Sequence, residues 1–477
     1  MSDFPNESLR LKESIKARKL IVYELNEVSN ETILRYCQER PESFLSRFIQ
    51  NSVYTPTISH DGGELHPWST WPTVHRGVTN EAHGINYINQ DLSSPNKHYP
   101  TIWSEVLSKG LTIGIWGSLQ SYPPLRGPGV KFYVPDTFSP DPITLPKRLE
   151  HLQGINIYAT KMGHGNSDLI GSREVRERLL RSICTSILNN TFSKGSLFSS
   201  ARQITREMGN AAWNYNRPTL QAKINFNAYY KYLTATKPDF STFFTNHVAS
   251  LQHRLWAYFH GQEGNVQERR AYSKIFKAGM DETSREIGLL MKTSARHGYD
   301  IAMVSSMSQA PIKERCCSLS IIFKDIGKFR QFFHLPPTLI ARSSMFPDFA
   351  FSVEEEYKAK CQEVFLSLTD KSGRSLFTLK RTEPSLDQRC TFFLSQNGDL
   401  DISDGYLFSS GTRIRVGDIG LKVAQRLPGT AYHAPEGVLY WYSNNYRNSS
   451  LASKSEQPLP TDQIKQLMTS HLLHISL

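Results

Sequence analysis

The chain has 477 residues, of which 39% are hydrophobic and 21% are charged, and this ordinary globular composition excludes wholesale disorder and a collagen-like fibre. No run approaches the roughly 18–20 apolar residues of a membrane-spanning helix, and residues 1–19 lack the apolar core of a secretory signal. The length predicts two or three domains.

The charge is markedly positive, because 55 Lys and Arg residues outnumber 44 Asp and Glu residues by 11. Such an excess suits anionic partners such as phosphate esters, nucleotides or nucleic acid. The sequence contains no dense basic run, so the alternative is a positive surplus spread over an ordinary surface. The six cysteines form no C-x-x-C pair. A disulfide scaffold and a zinc knuckle are therefore disfavoured, and a reducing cytoplasm is the expected compartment.

Four short apolar runs are typical of strands buried on both faces, and helical segments lie between them. The predicted strands are residues 20–25, 111–117, 240–245 and 300–305. The predicted helices are residues 31–51, 101–109, 172–189, 197–208, 268–297, 353–366 and 461–473. This alternation predicts an α/β fold in which a mostly parallel sheet is sandwiched by helices.

Two long segments interrupt the alternation and are interpreted as insertions. One is rich in Pro, Asn, Ser, Arg and aromatic residues, and the other contains charged helical text and the hairpin-like runs 375–380, 390–394 and 405–409. The predicted organisation is core residues 1–119, an inserted cap at 120–237, core residues 238–315, a second α+β insertion at 316–426, and a core return with a C-terminal helix at 427–477.

Polar residues follow the predicted strands, where open α/β sheets bind their ligands. The first strand ends in Glu24, Asn26 and Glu27, and the third is followed by Asn246 and His247. We expect these side chains to meet at one rim of the sheet, with Asn26, Glu27, Asn246 and His247 binding substrate or supporting the site.

Residues 64–85, ELHPWSTWPTVHRGVTNEAHGI, are the most unusual text in the chain. Ser69, Thr70 and Thr73 lie near a predicted helix start, where an anion is favoured and an activated hydroxyl could act as a nucleophile. His66 and His75 flank them and are candidate supporting residues. The alternative is an ordinary helix cap with packed histidines.

Five blocks, taken in order, resemble the alkaline phosphatase superfamily, most closely its type I phosphodiesterase/nucleotide pyrophosphatase branch. That branch has a nucleophile block T-F-P…E-x-H-G-I, matched by T-W-P…E-A-H-G-I at residues 70–85, and a D-x-x-Q-H-x-x-W block, matched by A-S-L-Q-H-R-L-W at residues 249–256. A Met-Asp pair at 280–281, S-S-M-S at 305–308 and G-T-A-Y-H-A-P-E-G at 429–437 match the remaining blocks.

The resemblance implies two divalent metals and a hydroxyl nucleophile, but several expected ligands differ. At the matching positions the first-strand Asp is Glu24, and the nucleophile is Thr70, for which Ser69 or Thr73 could substitute. Glu24 remains a candidate metal ligand.

The second half of the ligand set is more altered. The Asp of the D-x-x-x-H block is Ala249, and the Asp-His pair of S-D-H-G is Ser306-Met307, whereas His253 and His433 are retained. The resemblance therefore implies one divalent metal (Zn, Mn or Mg) held by Glu24, His253 and His433, or no metal. Asn246, His247 or Glu27 could complete the site.

The sequence also resembles a divergent bacterial subgroup of the superfamily with E-L-N-E, P-W-x-x-W-x-x-V-H, T-N-H-V-A-S and S-S-M blocks, matched here at residues 24–27, 67–75, 245–250 and 305–307. Similarity to that subgroup implies that the altered ligands are a shared redesign.

Three functional hypotheses follow. The first is a hydrolase or transferase acting on a phosphate or sulfate ester, of phosphodiester or nucleotide type, with Thr70 as nucleophile and a reduced or absent metal site. The second is a catalytically silent member that binds a phosphorylated or glycan ligand or a protein partner. The third is metal-free group transfer, in which His253 or His433 is the general base for Thr70 or Thr73. Nucleic acid is disfavoured as a partner because no signature of a nucleic-acid-binding module is present.

Overall fold

The computed structural model describes residues 18–88, 90–163, 194–262, 264–316, 319–342, 344, 348–384, 389–398, 400–425, 429–443 and 457–473. The strands within them are β1 (Lys19–Leu25), β2 (Ser52–Ile58), β3 (Ile113–Trp116), β4 (Val130–Val134), β5 (Phe240–Thr245), β6 (Tyr299–Ser305), β7 (Ser308–Cys316), β8 (Leu319–Phe323), β9 (Ile340–Arg342), β10 (Asp348–Glu354), β11 (Leu368–Thr369), β12 (Phe377–Pro384), β13 (Arg389–Gln396), β14 (Tyr406–Ser409), β15 (Thr412–Arg415), β16 (Leu421–Gln425), β17 (Gly429–Ala434), β18 (Glu436–Tyr442) and β19 (Leu459–Pro460).

The first α-helix in the described part of the chain, α1, follows β1. The α-helices of these residues are α1 (Asn30–Glu39), α2 (Phe44–Gln50), α3 (Pro67–Arg76), α4 (Asn80–His83), α5 (Ser93–His98), α6 (Ile102–Ser108), α7 (Glu150–Gly163), α8 (Lys194–Gly209), α9 (Arg217–Thr236), α10 (His247–Phe259), α11 (Val266–His297), α12 (Ile326–Phe332), α13 (Lys358–Ser367) and α14 (Ile464–Leu473). None of these helices is both long enough and apolar enough to cross a lipid bilayer.

The central sheet has eight strands in the order β19-β2-β18-β6-β1-β5-β3-β4. The four predicted strands are its adjacent members β6, β1, β5 and β3, and they pair in parallel. β18 is antiparallel to both β6 and β2. The predicted α/β class, with a mostly parallel sheet between helices, is therefore confirmed.

Apolar clusters cover the two faces of this sheet, as the continuous apolar strands require. One cluster includes Tyr23, Phe243 and Met303 from the strands and Met280 from α11. The other includes Val22 and Val304 from the strands and Trp71 from α3. Side chains that alternate along β1 thus reach opposite layers.

Part of the segment predicted as the first insertion belongs to the core. β4 pairs in parallel with β3 and closes one edge of the central sheet. Phe226 and Tyr229 of α9 are buried in the main core with Phe243. The helix predicted at 172–189 lies outside the described residues, whereas the one predicted at 197–208 is α8.

The second predicted insertion contains a separate hydrophobic cluster, which includes Phe323, Phe351, Phe365 and Phe392. Its main sheet is β12-β13-β10-β9, and α13 supplies Phe365. We call this part of the chain the second lobe. It contacts the core where the Lys380 ammonium lies 2.6 Å from the Glu64 carboxylate.

Two predicted helices have different bounds. The predicted helix at 31–51 is two helices, α1 and α2, because the turn at Arg40–Ser43 contains Pro41 and Ser43 caps α2. The predicted helix at 353–366 begins later, since Val353 and Glu354 are the last residues of β10.

Gly437 fixes the approach of three strands beside the segment that carries His433. A Cβ atom at Gly437 would lie 2.3 Å from the Ser305 carbonyl oxygen and 2.6 Å from the Thr57 hydroxyl oxygen. We expect Gly437→Ala to lower the free energy of unfolding by about 1–3 kcal/mol, since overpacking forces the backbone to shift.

Gly154→Ala is the matched control for this measurement. Gly154 lies in α7 with open space where a Cβ would stand, so the change should leave stability unaltered or raise it by up to about 1 kcal/mol. Urea unfolding followed by circular dichroism measures both variants. Equal stability of the two would contradict the packing at Gly437.

Candidate active site

Glu27, His253 and His433 form a compact group at the carboxyl end of β1. Their nearest ligand-type atoms all lie within 4.8 Å of one another. The Glu27 Oε2 atom is 3.1 Å from His253 Nε2 and 3.4 Å from His433 Nε2. Three segments far apart in the sequence supply this group: the turn after β1, helix α10 and strand β17.

Both imidazoles are oriented by backbone carbonyls. His253 Nδ1 lies 3.1 Å from the Ala431 carbonyl oxygen, and His433 Nδ1 lies 2.6 Å from the Leu65 carbonyl oxygen. A carbonyl can only accept, so each Nδ1 donates and each Nε2 faces Glu27. This is the arrangement that presents an imidazole lone pair to a metal ion.

Glu27 is held in a strained backbone conformation. Its φ is +57°, in the left-handed region that costs a residue with a Cβ atom about 1–2 kcal/mol. Neighbouring bonds maintain it: Ser305 Oγ accepts from the next amide, Val28 N–H, at 3.0 Å, and Gln252 Nε2 donates to the Glu27 carbonyl at 2.9 Å. The turn directs the buried carboxylate at the two histidines.

Amide side chains complete the surroundings of the carboxylate. Gln309 Nε2 donates to Glu27 Oε2 at 2.5 Å and to the Ala249 carbonyl at 3.2 Å. Asn26 Nδ2 donates to Glu27 Oε1 at 2.8 Å and to Asn246 Oδ1 at 2.7 Å. The predicted supporting residues Asn26 and Asn246 are thus brought to the site.

The electrostatics favour a charged carboxylate. Burial opposes ionisation, but His433 and His253 hold the pKa of Glu27 well below its usual range. Conversely, burial disfavours protonated His433, yet the Glu27 carboxylate raises the pKa of His433 above its usual value. A buried anion with two imidazoles beside it suits a cation.

The predicted ligand Glu24 does not join this group, which is a correction to the expected set. Its Oε1 lies 2.8 Å from His75 Nε2, and the Glu24 side chain is fully buried. His75 in turn packs between Trp71 and Trp103. Glu24 and His75 therefore form a buried pair on the α3 side of the sheet, because Glu24 is still within β1 whereas Glu27 follows its end.

The candidate hydroxyl groups have different surroundings. Thr70 Oγ1 is fully buried and lies 2.8 Å from Ser306 Oγ. Ser69 Oγ is buried and has no hydrogen-bond partner among the described residues. Thr73 Oγ1 donates to Asp61 at 2.7 Å and lies 3.1 Å from His83 Nε2, so the structure gives Thr73 a bonded structural position and not one in the site.

Two of the remaining predicted histidines have local roles. His66 caps α3 without a side-chain bond, stacks on Trp68 at 4.3 Å and has its ring centroid 5.8 Å from that of His433, so it lies beside the site. His247 is fully enclosed: Nδ1 lies 2.7 Å from Thr245 Oγ1, and Nε2 lies 3.1 Å from the Gly279 carbonyl. Both ring nitrogens of His247 are therefore engaged, and the residue anchors α10 to α11.

A second acidic and imidazole group, Glu64, His66 and Asp348, lies where the second lobe meets the core. Lys380 Nζ is 2.6 Å from Glu64 and 3.3 Å from Asp348. The ammonium already supplies the positive charge that this group needs, so it makes a poor cation site.

The sequence places Gln252 and Gln309 among the polar residues after the third and fourth predicted strands but assigns them no role, and it makes Glu24, not Glu27, the first-strand metal ligand. The available signal was positional. Gln252 precedes His253, Gln309 follows the fourth predicted strand, and the E-L-N-E text offers two carboxylates three residues apart. A hydrogen bond from a single glutamine side chain to a distant carboxylate leaves no pattern in the sequence that would reveal it.

No family model matches the sequence, and no curated protein sequence is significantly similar to it. Among solved structures, the chain is similar to murine ectonucleotide pyrophosphatase/phosphodiesterase 5 (10% identity, TM-score 0.41, 96% of each chain covered). It is also similar to the alkaline phosphatase of the Antarctic bacterium TAB5 (8% identity, TM-score 0.37, 97% of this chain and 99% of that one).

A third similar structure is the phosphonoacetate hydrolase of Sinorhizobium meliloti 1021 in complex with phosphonoformate (11% identity, TM-score 0.38, 96% of each chain). The three matches span nearly the whole of each chain, at identities of 8–11%.

The enclosed His247 makes the protein sensitive to acid. Burial lowers the pKa of His247 from 6.5 to about 4, so below pH 6.5 the unfolded chain binds a proton that the folded chain rejects. Stability from this residue is complete above pH 6.5 and is lost as the pH falls to 4, by a total of about 3 kcal/mol. Urea unfolding between pH 4 and 8 measures this slope.

His247→Gln should be less stable at pH 8 and have a flatter pH dependence. His98→Gln, which changes an exposed histidine, should retain the slope of the parent protein. An unchanged slope in His247→Gln would show that other groups cause the acid sensitivity.

Proposed function

We propose that the protein is a hydrolase or transferase of phosphate or sulfate esters that uses one divalent cation held by Glu27, His253 and His433. The observation that carries this proposal is the geometry of these three ligands, two of which have Nδ1 committed to a carbonyl and Nε2 turned to the carboxylate. Three protein ligands with one open position are typical of catalytic zinc, and the exposed part of His253 gives the group an opening to solvent.

The remaining positions do not fit a second cation. Glu24 is engaged by His75, Thr70 by Ser306, and Met307 replaces a hard ligand. The buried Glu24 Oε2 has no hydrogen-bond partner among the described residues, but within those residues Glu24 and its neighbour His75 belong to no group of three potential metal ligands. We therefore derive no step that needs two metals.

When bound, a divalent cation supplies Lewis-acid polarisation of the ester oxygen it contacts. Gln309 and Asn26 orient the Glu27 carboxylate, while the Ala431 and Leu65 carbonyls orient the two imidazoles. The Leu65 carbonyl directly precedes the cap of α3, so the site and the hydroxyl-bearing first turn of that helix are linked.

The proposed nucleophile is Thr70. Its Oγ1 would form a bond to phosphorus or sulfur as the bond to the leaving alcohol breaks, and the alcohol would gain the proton. Transfer of the resulting group to water, or to a second alcohol, would restore Thr70. Ser306 Oγ, 2.8 Å away, orients the Thr70 hydroxyl, and the start of α3 favours the negative charge of the ester.

The expected substrate is an anionic small molecule or glycan that bears phosphate or sulfate. An excess of 11 positive charges attracts such molecules over long range. A cavity of about 120 Å³ is lined by Asn246 and by further amides including Gln153, Asn156 and Asn225, which suits an uncharged polar part of the substrate. The cytoplasm remains the expected compartment.

One observation favours a second candidate function, a non-catalytic binding protein. Thr70 is completely buried, so an ester reaches it only if the start of α3 or its surroundings move. A protein of this kind would gain thermal stability from a phosphorylated ligand without turning it over.

Turnover of chromogenic esters separates the two candidates. With Zn²⁺, Mn²⁺ or Mg²⁺ added, we expect release of nitrophenol from bis-p-nitrophenyl phosphate, p-nitrophenyl phosphate or p-nitrophenyl sulfate. Thr70→Ala should reduce kcat at least about 1000-fold, since the covalent step is removed. Ser69→Ala, in the same turn of α3, is the matched control and should retain activity within about tenfold.

Loss of activity in Ser69→Ala alone would transfer the nucleophile role to Ser69. Intact esters with all three cations, together with stabilisation by phosphorylated ligands, would support the non-catalytic candidate and overturn the hydrolase proposal.

A further inference from the structure

A cationic cleft lies away from the proposed metal site, between α1, α8, α10 and α11. Its volume is about 610 Å³, and seven basic and two acidic side chains line it, a formal excess of five positive charges. This is nearly half of the excess of the whole chain, concentrated in one concave region.

Three basic side chains in the first half of α11 have no acidic partner among the described residues. They are Arg269, Arg270 and Lys274, and all three are exposed and line the cleft. Arg270 and Lys274 are four residues apart, so their side chains are neighbours on successive turns of the helix. Their positive charges therefore add along one side of the cleft. Uncompensated charge of this density attracts an anion.

Other charges that line the cleft, from α1 and from further along α11, are only partly neutralised. Glu39 and Asp281 are shared by three cations: Lys277 Nζ is 2.6 Å from Glu39, Arg35 Nε is 3.8 Å from Glu39, and Arg40 Nε is 3.7 Å from Asp281. The two carboxylates therefore have more basic neighbours than they can neutralise.

Arg206 of α8 also lines the cleft. Its guanidinium carbon lies 4.2 Å from the Trp213 ring centroid, which fixes the group over an aromatic face instead of a carboxylate. Partial burial and repulsion from Arg202 lower the pKa of Arg206 below its ordinary value. The guanidinium is thus held in place and remains available to an anion.

We infer that this cleft binds a compact ligand that bears several adjacent phosphate groups, at a site separate from the proposed metal centre. Arginine forks bind phosphate oxygens in pairs, and four cations that have no carboxylate partner in the described part of the chain match several phosphates better than one. The concave shape favours a small ligand over a nucleic acid, which needs an extended basic track.

The cleft has a physical connection to the metal site through α10. His253 belongs to the metal group, whereas Tyr258 and Phe259 on the same helix line the cleft. Six residues of helix correspond to about 9 Å, so the cleft and the metal group are different places along one helix.

Isothermal titration calorimetry with inorganic tripolyphosphate tests the inference on the full chain. We expect binding of one molecule, weakened by salt, that persists in Glu27→Gln, because that variant lacks the metal ligand but retains the cleft. Arg270→Ala with Lys274→Ala should weaken binding by at least about tenfold.

Arg296→Ala with Lys109→Ala removes the same charge from exposed positions outside the cleft and should alter the dissociation constant less than about threefold. An equal loss in both double variants would show that binding follows net charge only. Loss of binding in Glu27→Gln would place the ligand at the metal site. Either result overturns the inference.

Two further probes separate other sources of phosphate. Vesicles with anionic phospholipid and a single-stranded RNA oligonucleotide are titrated under the same conditions. The inference predicts that tripolyphosphate competes with both probes. It also predicts that Arg270→Ala with Lys274→Ala weakens the binding of vesicles or RNA no more than it weakens the binding of tripolyphosphate. Tighter, tripolyphosphate-resistant binding of vesicles or RNA would assign the cleft to that macromolecular surface instead.

Discussion

The buried Glu27 carboxylate is the constraint on which the rest of the site depends. A buried ionised carboxylate needs hydrogen bonds or a neighbouring cation, and Glu27 accepts hydrogen bonds from two amide side chains and faces two imidazoles. A left-handed backbone at the end of β1 aims the carboxylate at these groups. The strain is offset by Gln252 and Ser305, so the fold specifies the geometry before any ligand binds.

This arrangement differs from the two-metal pattern that the motifs imply. Ala249 occupies the position where that pattern has an aspartate. Gln309 Nε2 donates hydrogen bonds to both the Ala249 carbonyl and the Glu27 carboxylate. In the proposed site a carboxylate from the turn after β1 would replace one from α10, and His253 and His433 would be the other two ligands. At the positions that correspond to the second metal, Thr70 and Ser306 pair with each other and Glu24 pairs with His75.

The sequence was sufficient for the four central strands and the polar residues that follow them, because buried parallel strands leave continuous apolar runs. The motif resemblance singled out His253 and His433, which lie beside Glu27. The sequence could not separate Glu24 from Glu27. Both are glutamates at the end of one strand, and the sign of a single φ angle decides which meets the histidines. β4 was also missed, since a five-residue strand among prolines resembles a loop, and the Glu64–Lys380 contact requires knowledge of how the second lobe meets the core.

Extended X-ray absorption spectroscopy with elemental analysis on the zinc-loaded protein tests the central claim most directly. One zinc per chain, with two imidazole ligands and one carboxylate, is the result that the account predicts. Glu27→Gln should lose the metal, whereas Glu24→Gln, three residues away and equally buried, should retain it. Retention of zinc in Glu27→Gln together with its loss in Glu24→Gln would contradict the assignment.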